Sequence, residues 1–169
     1  MTRWEPQTLT FLLLRLNDWV RPVRLTADLL VRERMISKYA DTFVKNLSLL
    51  GRLSLTQRGH YSQIKEGIGW LLRSEEGNKA VEKGLSAKDL EIKRACYNFA
   101  FQFGCVSPLL LVVKALADRD PAVRTLAISK GGLIPATDAV KHSLERALTD
   151  SLRTSSPQGP SDFCRKVSE

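Results

Sequence analysis

Apolar residues recur at helical spacing along most of this chain, and no segment alternates apolar and polar residues cleanly enough to read as a strand. This periodicity is the strongest constraint on the fold, and it predicts helices joined by short loops. Pro6 suits a first helical position, and Leu9, Leu12, Leu13 and Leu16 then form one stripe. Asn17 and Asp18 supply a turn. A second helix turns Val20, Val23, Leu25, Ala27, Leu30 and Val31 inward, and a third runs from Ser37 to Leu50 and stops at Gly51. A fourth covers Tyr61 to Arg73 with Ile64, Ile68, Leu71 and Leu72 inward. Gly67 and Gly69 weaken it by about 1 kcal/mol each and give room for a neighbouring backbone. A short helix follows from Glu75 to Lys83, with Glu75 and Glu76 as its acidic first turn and Gly84 as its stop.

The remaining helices carry clear punctuation. Ser86 and Asp89 open one that reaches Phe103 and ends at Gly104. Ser107-Pro108 opens Leu109 to Ala117. Asp118, Asp120 and Pro121 open the next, which ends at Gly131-Gly132. Thr137 or Asp138 caps a last helix to Leu148. Residues 153–169 hold a Ser, Pro and Gly run without the apolar content to fold alone, so the expected division is a helical domain over 1–152 and a polar tail over 153–169.

Within this series one helix start recurs. Asp18-Trp19-Val20-Arg21-Pro22-Val23-Arg24-Leu25-Thr26-Ala27 parallels Asp118-Arg119-Asp120-Pro121-Ala122-Val123-Arg124-Thr125-Leu126-Ala127, sharing Asp and then Val-Arg-x-x-Ala at equal offset. Asp89 to Cys96 is a looser copy in which Asp89 aligns with Asp120, Ile92 with Val123, Lys93 with Arg124 and Cys96 with Ala127. Gln63-Ile64-Lys65 reads as a degenerate fourth. The aligned apolar residues Val23, Ile64, Ile92 and Val123 are separated by 41, 28 and 31 residues, the length of one helical hairpin each. The pattern resembles the start of the second helix of a HEAT repeat. The resemblance covers about Pro6 to Leu148 and is strongest at the Asp18 and Asp118 copies. It implies an all-α fold without a sheet: an α-α superhelix of about four to five helical hairpins, in which each hairpin buries its apolar side against the next. It further implies that the Arg of the motif reaches the Asp of a neighbouring repeat, which makes Arg24 and Arg124 structural first and ligand-binding second.

Charge and chemistry narrow the function. The formal net charge is +8, and residues 1–73 carry twelve Lys and Arg against six Asp and Glu. Such a balance suits nucleic acid, an acidic protein or an anionic surface. The apolar run Phe11 to Leu14 is too short for a signal segment or a membrane span, so a soluble, cytoplasmic protein is expected. Cys96, Cys105 and Cys164 have no metal or redox spacing and read as reduced thiols, the first two buried. No phosphate loop, nucleophile elbow or zinc motif is present, and His60 and His142 lack ligand neighbours. No enzyme activity and no cofactor are expected.

Candidate binding residues are therefore aromatic and basic. Trp70 reads as core. Trp19 packs over a hairpin corner or stands exposed as a binding anchor, and Trp4 caps the open end or meets a partner. Arg21, Arg24, Lys65, Lys93, Arg94 and Arg124, with Arg32, Arg34 and Lys130, all fall on second helices. In HEAT-like folds those helices line the concave face, so Arg21, Arg24, Lys65, Lys93, Arg94, Arg124 and Trp19 are the expected partner-binding set. The alternative for the same cations is solvated charges and inter-repeat pairs. The first functional reading is a scaffold that binds a protein partner on this face, with self-association through a terminal repeat as a further option. The second is a nucleic-acid-binding protein similar to the DNA-alkylation-repeat glycosylases in fold class and charge. No catalytic residue of theirs is carried over. Converging cations beside an exposed Trp would favour nucleic acid. A neutralised or apolar groove would favour protein.

Overall fold

A computed structural model describes residues 6–55 and 61–131, and among these every regular element is helical. The order is α1 (Pro6–Arg15), α2 (Arg21–Arg32), a 3-10 turn (Ser37–Tyr39), α3 (Ala40–Lys45), α4 (Leu47–Leu53), α5 (Tyr61–Leu72), α6 (Glu75–Leu85), α7 (Leu90–Phe103), α8 (Pro108–Leu116) and α9 (Pro121–Gly131). Consecutive helices pair: α1 packs on α2, α5 on α6, α6 on α7, and α8 on α9. Longer-range packing joins α3 to α6, α4 to α7, α2 to α5, and α7 to both α8 and α9. The core runs through these contacts, with Leu13, Phe43, Ile68, Leu72, Tyr97 and Val112 fully enclosed. The expected helix from Thr137 or Asp138 to Leu148, the tail over 153–169, Trp4, His60, His142 and Cys164 lie outside the described residues.

Local chemistry sets most of the boundaries. Asp89 accepts from the N–H groups of Glu91 and Ile92 and caps α7, while Gly104, with φ +62°, ends it in the left-handed region. Ser74 accepts from Gly77 N–H and caps α6, whose first turn carries Glu75 and Glu76 as expected. Gly84 does not stop α6. It lies inside the helix, where an added Cβ would strike the Cys96 and Val44 side chains. Gly67 and Gly69 likewise make room, but for the side chains of Met35 and Phe103 rather than for a backbone.

Three expectations change. The helix expected from Ser37 to Leu50 is broken at Asn46, and Gly51 lies inside α4 instead of ending it. The cause is the Asn46 side chain. Its amide donates to Thr42 O at 2.8 Å, while its backbone N–H turns to Phe43 O. Its Oδ1 accepts from Thr10 Oγ1 of α1 at 2.9 Å, so the break is pinned from another helix. Second, Trp70 is not core. It is 72% exposed, because the buried face of α5 runs through Ile64, Ile68 and Leu71, and a residue two past Ile68 points to the opposite side. Its ring instead stacks against the Arg73 guanidinium, 5.1 Å away. Third, α2 buries only Ala27 and Val31 fully, and leaves Val23 and Leu25 exposed. Val123, the counterpart of Val23, is fully buried, although each helix packs on its partner and on one further helix, α9 on α8 and α7, and α2 on α1 and α5.

Cys96 and Cys105 are buried and unpaired. Burial pushes the Cys96 thiol up to about 12 and raises that of Cys105. At neutral pH both thiols should therefore label at least about a hundredfold more slowly in the folded protein than in urea, because reagent reaches them only through opening. Alkylation read peptide by peptide in a mass spectrometer tests this. Fast labelling of Cys96 in native buffer would contradict the packing of α6 against α7.

Candidate functional site

A groove of about 580 Å³ lies between α4 and α7, with α5 and α9 contributing one cation each. Its two walls are regular helical stripes. On α4, Leu47, Gly51 and Ser54 lie at i, i+4 and i+7. On α7, Glu91, Ala95, Asn98 and Gln102 lie at i, i+4, i+7 and i+11. Leu50 and Phe99 supply an apolar floor and Leu55 an exposed apolar rim. The break at Asn46 turns α4 away from the line of α3 and onto α7, which opens this wall. Asn98 also borders a smaller hollow of about 290 Å³ between α7 and α9, beside Val123 and Leu126.

The charges around the groove are few. Arg52 and Glu91 form an ion pair that bridges α4 to α7 at the rim, with both side chains mostly exposed. Lys65 reaches from α5 and holds its ammonium 5.9 Å from the centroid of the Phe103 ring. Lys130 reaches from α9. Neither lysine forms an ion pair among the described residues. Among the described residues of the lining the only carboxylate is Glu91, which pairs with Arg52. Among the described residues no cluster of His, Cys, Asp or Glu is arranged to hold a metal, and no helix is long and apolar enough to cross a membrane.

The seven residues nominated from sequence scatter. Lys65 alone lines the groove. Arg24 donates to the carbonyls of Asp18 and Trp19 at 2.8 and 3.1 Å, and Arg124 donates to those of Asp118 and Arg119 at 3.1 and 3.0 Å. The two copies of the motif thus make the same clamp: the Arg holds the carbonyls of its own turn. The Asp side chain receives an N–H two residues on, Val20 in one copy and Asp120 in the other. The expected reach to a neighbouring repeat's Asp belongs to other cations. Lys93 contacts the Asp118 carboxylate at 3.2 Å. Arg94 grips both oxygens of Asp120 at 2.6 and 3.0 Å. Arg32 is similarly tied to Asp28 and Gln63.

Arg21 and Trp19 stand apart from the groove at the α1–α2 corner. Trp19 is 82% exposed and does not pack over the corner, because the Asp18 turn and the Arg24 clamp fix its backbone with the ring outward. Leu25 and Leu29 are exposed on the same helix start and helix.

The groove walls themselves were missed in the sequence, apart from the cations Lys65 and Lys130. One signal was available. The Glu91, Ala95, Asn98 and Gln102 stripe of α7 carries no large apolar residue, although the helix is otherwise strongly apolar. No protein-family model matches the chain, and no curated protein matches it.

Proposed function

We propose that this chain is a non-catalytic, HEAT-like binding scaffold, an α-α superhelix of helical hairpins, which holds a protein partner in the α4–α7 groove. One observation carries the choice of a protein over nucleic acid. Four of the six cations expected to make a basic face are engaged internally, Lys93 and Arg94 by Asp118 and Asp120, and Arg24 and Arg124 by their own turns. What is left open is a groove with an apolar floor, a rim bridged by the Arg52–Glu91 pair and, among the described residues, only two further cations, Lys65 and Lys130, the chemistry of a peptide or helix site. The superhelix reading is supported by the matching clamps at Asp18 and Asp118, by the α1–α2 and α8–α9 pairs, and by the packing of α7 on both α8 and α9. On that reading α5, α7 and α9 are second helices, so their side of the groove belongs to the concave face. The unpaired, buried Cys96 and Cys105 fit the reducing cytoplasm in which we place it.

A photo-crosslinking residue at Ser54, in the groove, is expected to capture a discrete protein in the native host, whereas the same residue at the exposed Lys79 on α6 captures none in common with it. In parallel, duplex DNA titrated at low salt should show no saturable binding. DNA binding that weakens steeply with salt, with a log–log slope near −0.9 for each phosphate contact, would replace this reading with the nucleic-acid one.

A further inference from the structure

Gly51 sits in the interior of α4, where glycine costs about 1 kcal/mol against alanine. Four other helical glycines have an internal reason. The space of a Cβ is taken by Met35 at Gly67, by Phe103 at Gly69, by the backbone of Leu71 and Leu72 at Gly77, and by Cys96 and Val44 at Gly84. At Gly51 an added Cβ meets nothing within 4 Å among the described residues. Gly51 also lines the groove, on the wall facing Ala95 of α7. The space it leaves open is available to a molecule from outside.

Resting on the reading of the groove as a protein site, we infer that its occupant is an acidic amphipathic helix whose backbone crosses α4 at Gly51. The dimensions suit a helix. The α7 wall from Glu91 to Gln102 spans eleven residues, about 16 Å at the helical rise, or three turns. Small residues on both walls, Gly51, Ser54 and Ala95, let helix axes approach to the lower end of the roughly 8–10 Å packing range. The floor of Leu50 and Phe99 takes apolar side chains at helical spacing. Charge selects the polar side of the guest. Among the described residues the lining carries Arg52, Lys65 and Lys130 against Glu91 alone, and the Arg52–Glu91 pair cancels, leaving the two lysines. Carboxylates flanking the apolar stripe of the guest meet those ammonium groups, and a basic guest is repelled by them. Phosphate would find only the two separated lysines over an apolar floor, which disfavours a nucleic-acid backbone.

The test uses the full chain, two variants and a display library of short amphipathic helical peptides with polar positions randomised among Glu, Lys, Gln and Ser. Gly51→Ala and Gly51→Met are both expected to raise the melting temperature, since each adds helix propensity in open space. Gly51→Met should nevertheless weaken the selected peptides at least about tenfold. A more stable protein that binds less separates obstruction from unfolding. Enrichment of Glu over Lys among peptides that depend on Gly51 supports the proposal. Dependence on Gly51 with Lys-rich or neutral peptides overturns the acidic guest and leaves the groove as a protein site. Selected peptides indifferent to Gly51→Met, or no binder at all, overturn the acidic helix as the guest, and the groove as a protein site is then decided separately by the Ser54 crosslink.

Discussion

Gly77→Ala is expected to destabilise the fold by about 2–3 kcal/mol, although alanine is the better helix former. The new methyl would meet Leu71 O and the Cα and C atoms of Leu72, the last turn of α5. Those are backbone atoms and cannot swing aside as a side chain would. Nor can α6 back away, because only Arg73 and Ser74 separate the two helices and Ser74 holds Gly77 N–H at 3.1 Å. Leu71 and Leu72 are themselves buried, so shifting them disturbs the core. Overpacking therefore outweighs the propensity gain of about 1 kcal/mol. Urea unfolding followed by circular dichroism measures the difference. Set beside Gly51→Ala, the same chemical change is expected to have opposite signs at the two positions, and equal effects would show that the α5–α6 corner is not packed this way.

Asp120→Ala is the second large effect, a loss of about 2 kcal/mol or more. Asp120 is buried and does two tasks. Its Oδ1 accepts from Ala122 N–H at 3.0 Å and caps α9, a contact whose loss costs about 1–2 kcal/mol in comparable helices. Both oxygens also bind Arg94, which ties α9 to α7. Asp120→Asn keeps an acceptor for the cap and loses the charge, so it should fall between wild type and alanine. The hydrogen bond from Arg94, and then that from Ala122, hold the Asp120 carboxyl below its usual 3.8. Asp18 is lowered as well, first by the Val20 N–H and next by Arg15. For a lowered carboxyl the unfolded chain takes up the proton first as pH falls. Its stabilising effect is therefore complete above the unfolded value and is lost progressively below about pH 5. Wild type should lose stability from about pH 5 downward, and Asp120→Asn should lose less over the same range. An identical acid profile in the two proteins would mean that the Arg94–Asp120 contact is not formed in solution.

What could be read from sequence was what neighbours along the chain decide. The caps at Asp89 and Asp120, the stop at Gly104 and the proline starts at Pro108 and Pro121 are local, and each lies where its residue type dictates. The break at Asn46 was not legible, because its hydrogen-bond partner Thr10 lies 36 residues away. The same distance effect hid the role of Arg94, whose partner is 26 residues on. The tryptophans failed for another reason. Trp70 was assigned by its apolar neighbours in sequence, whereas the face of the helix decides burial. The groove was the least visible feature, since its walls are marked by small side chains, and Gly51 reads equally well as a helix end.

The bend at Asn46 also fixes how many guests the chain can hold. α3 packs mainly on α6, and α4 mainly on α7. Because α3 and α4 diverge, one segment serves α6 with its first part and frames the groove with its second. The clamp recurs at Asp18 and Asp118, but this bend has no second copy among the described residues. The expected stoichiometry is therefore one guest per chain rather than one per clamp.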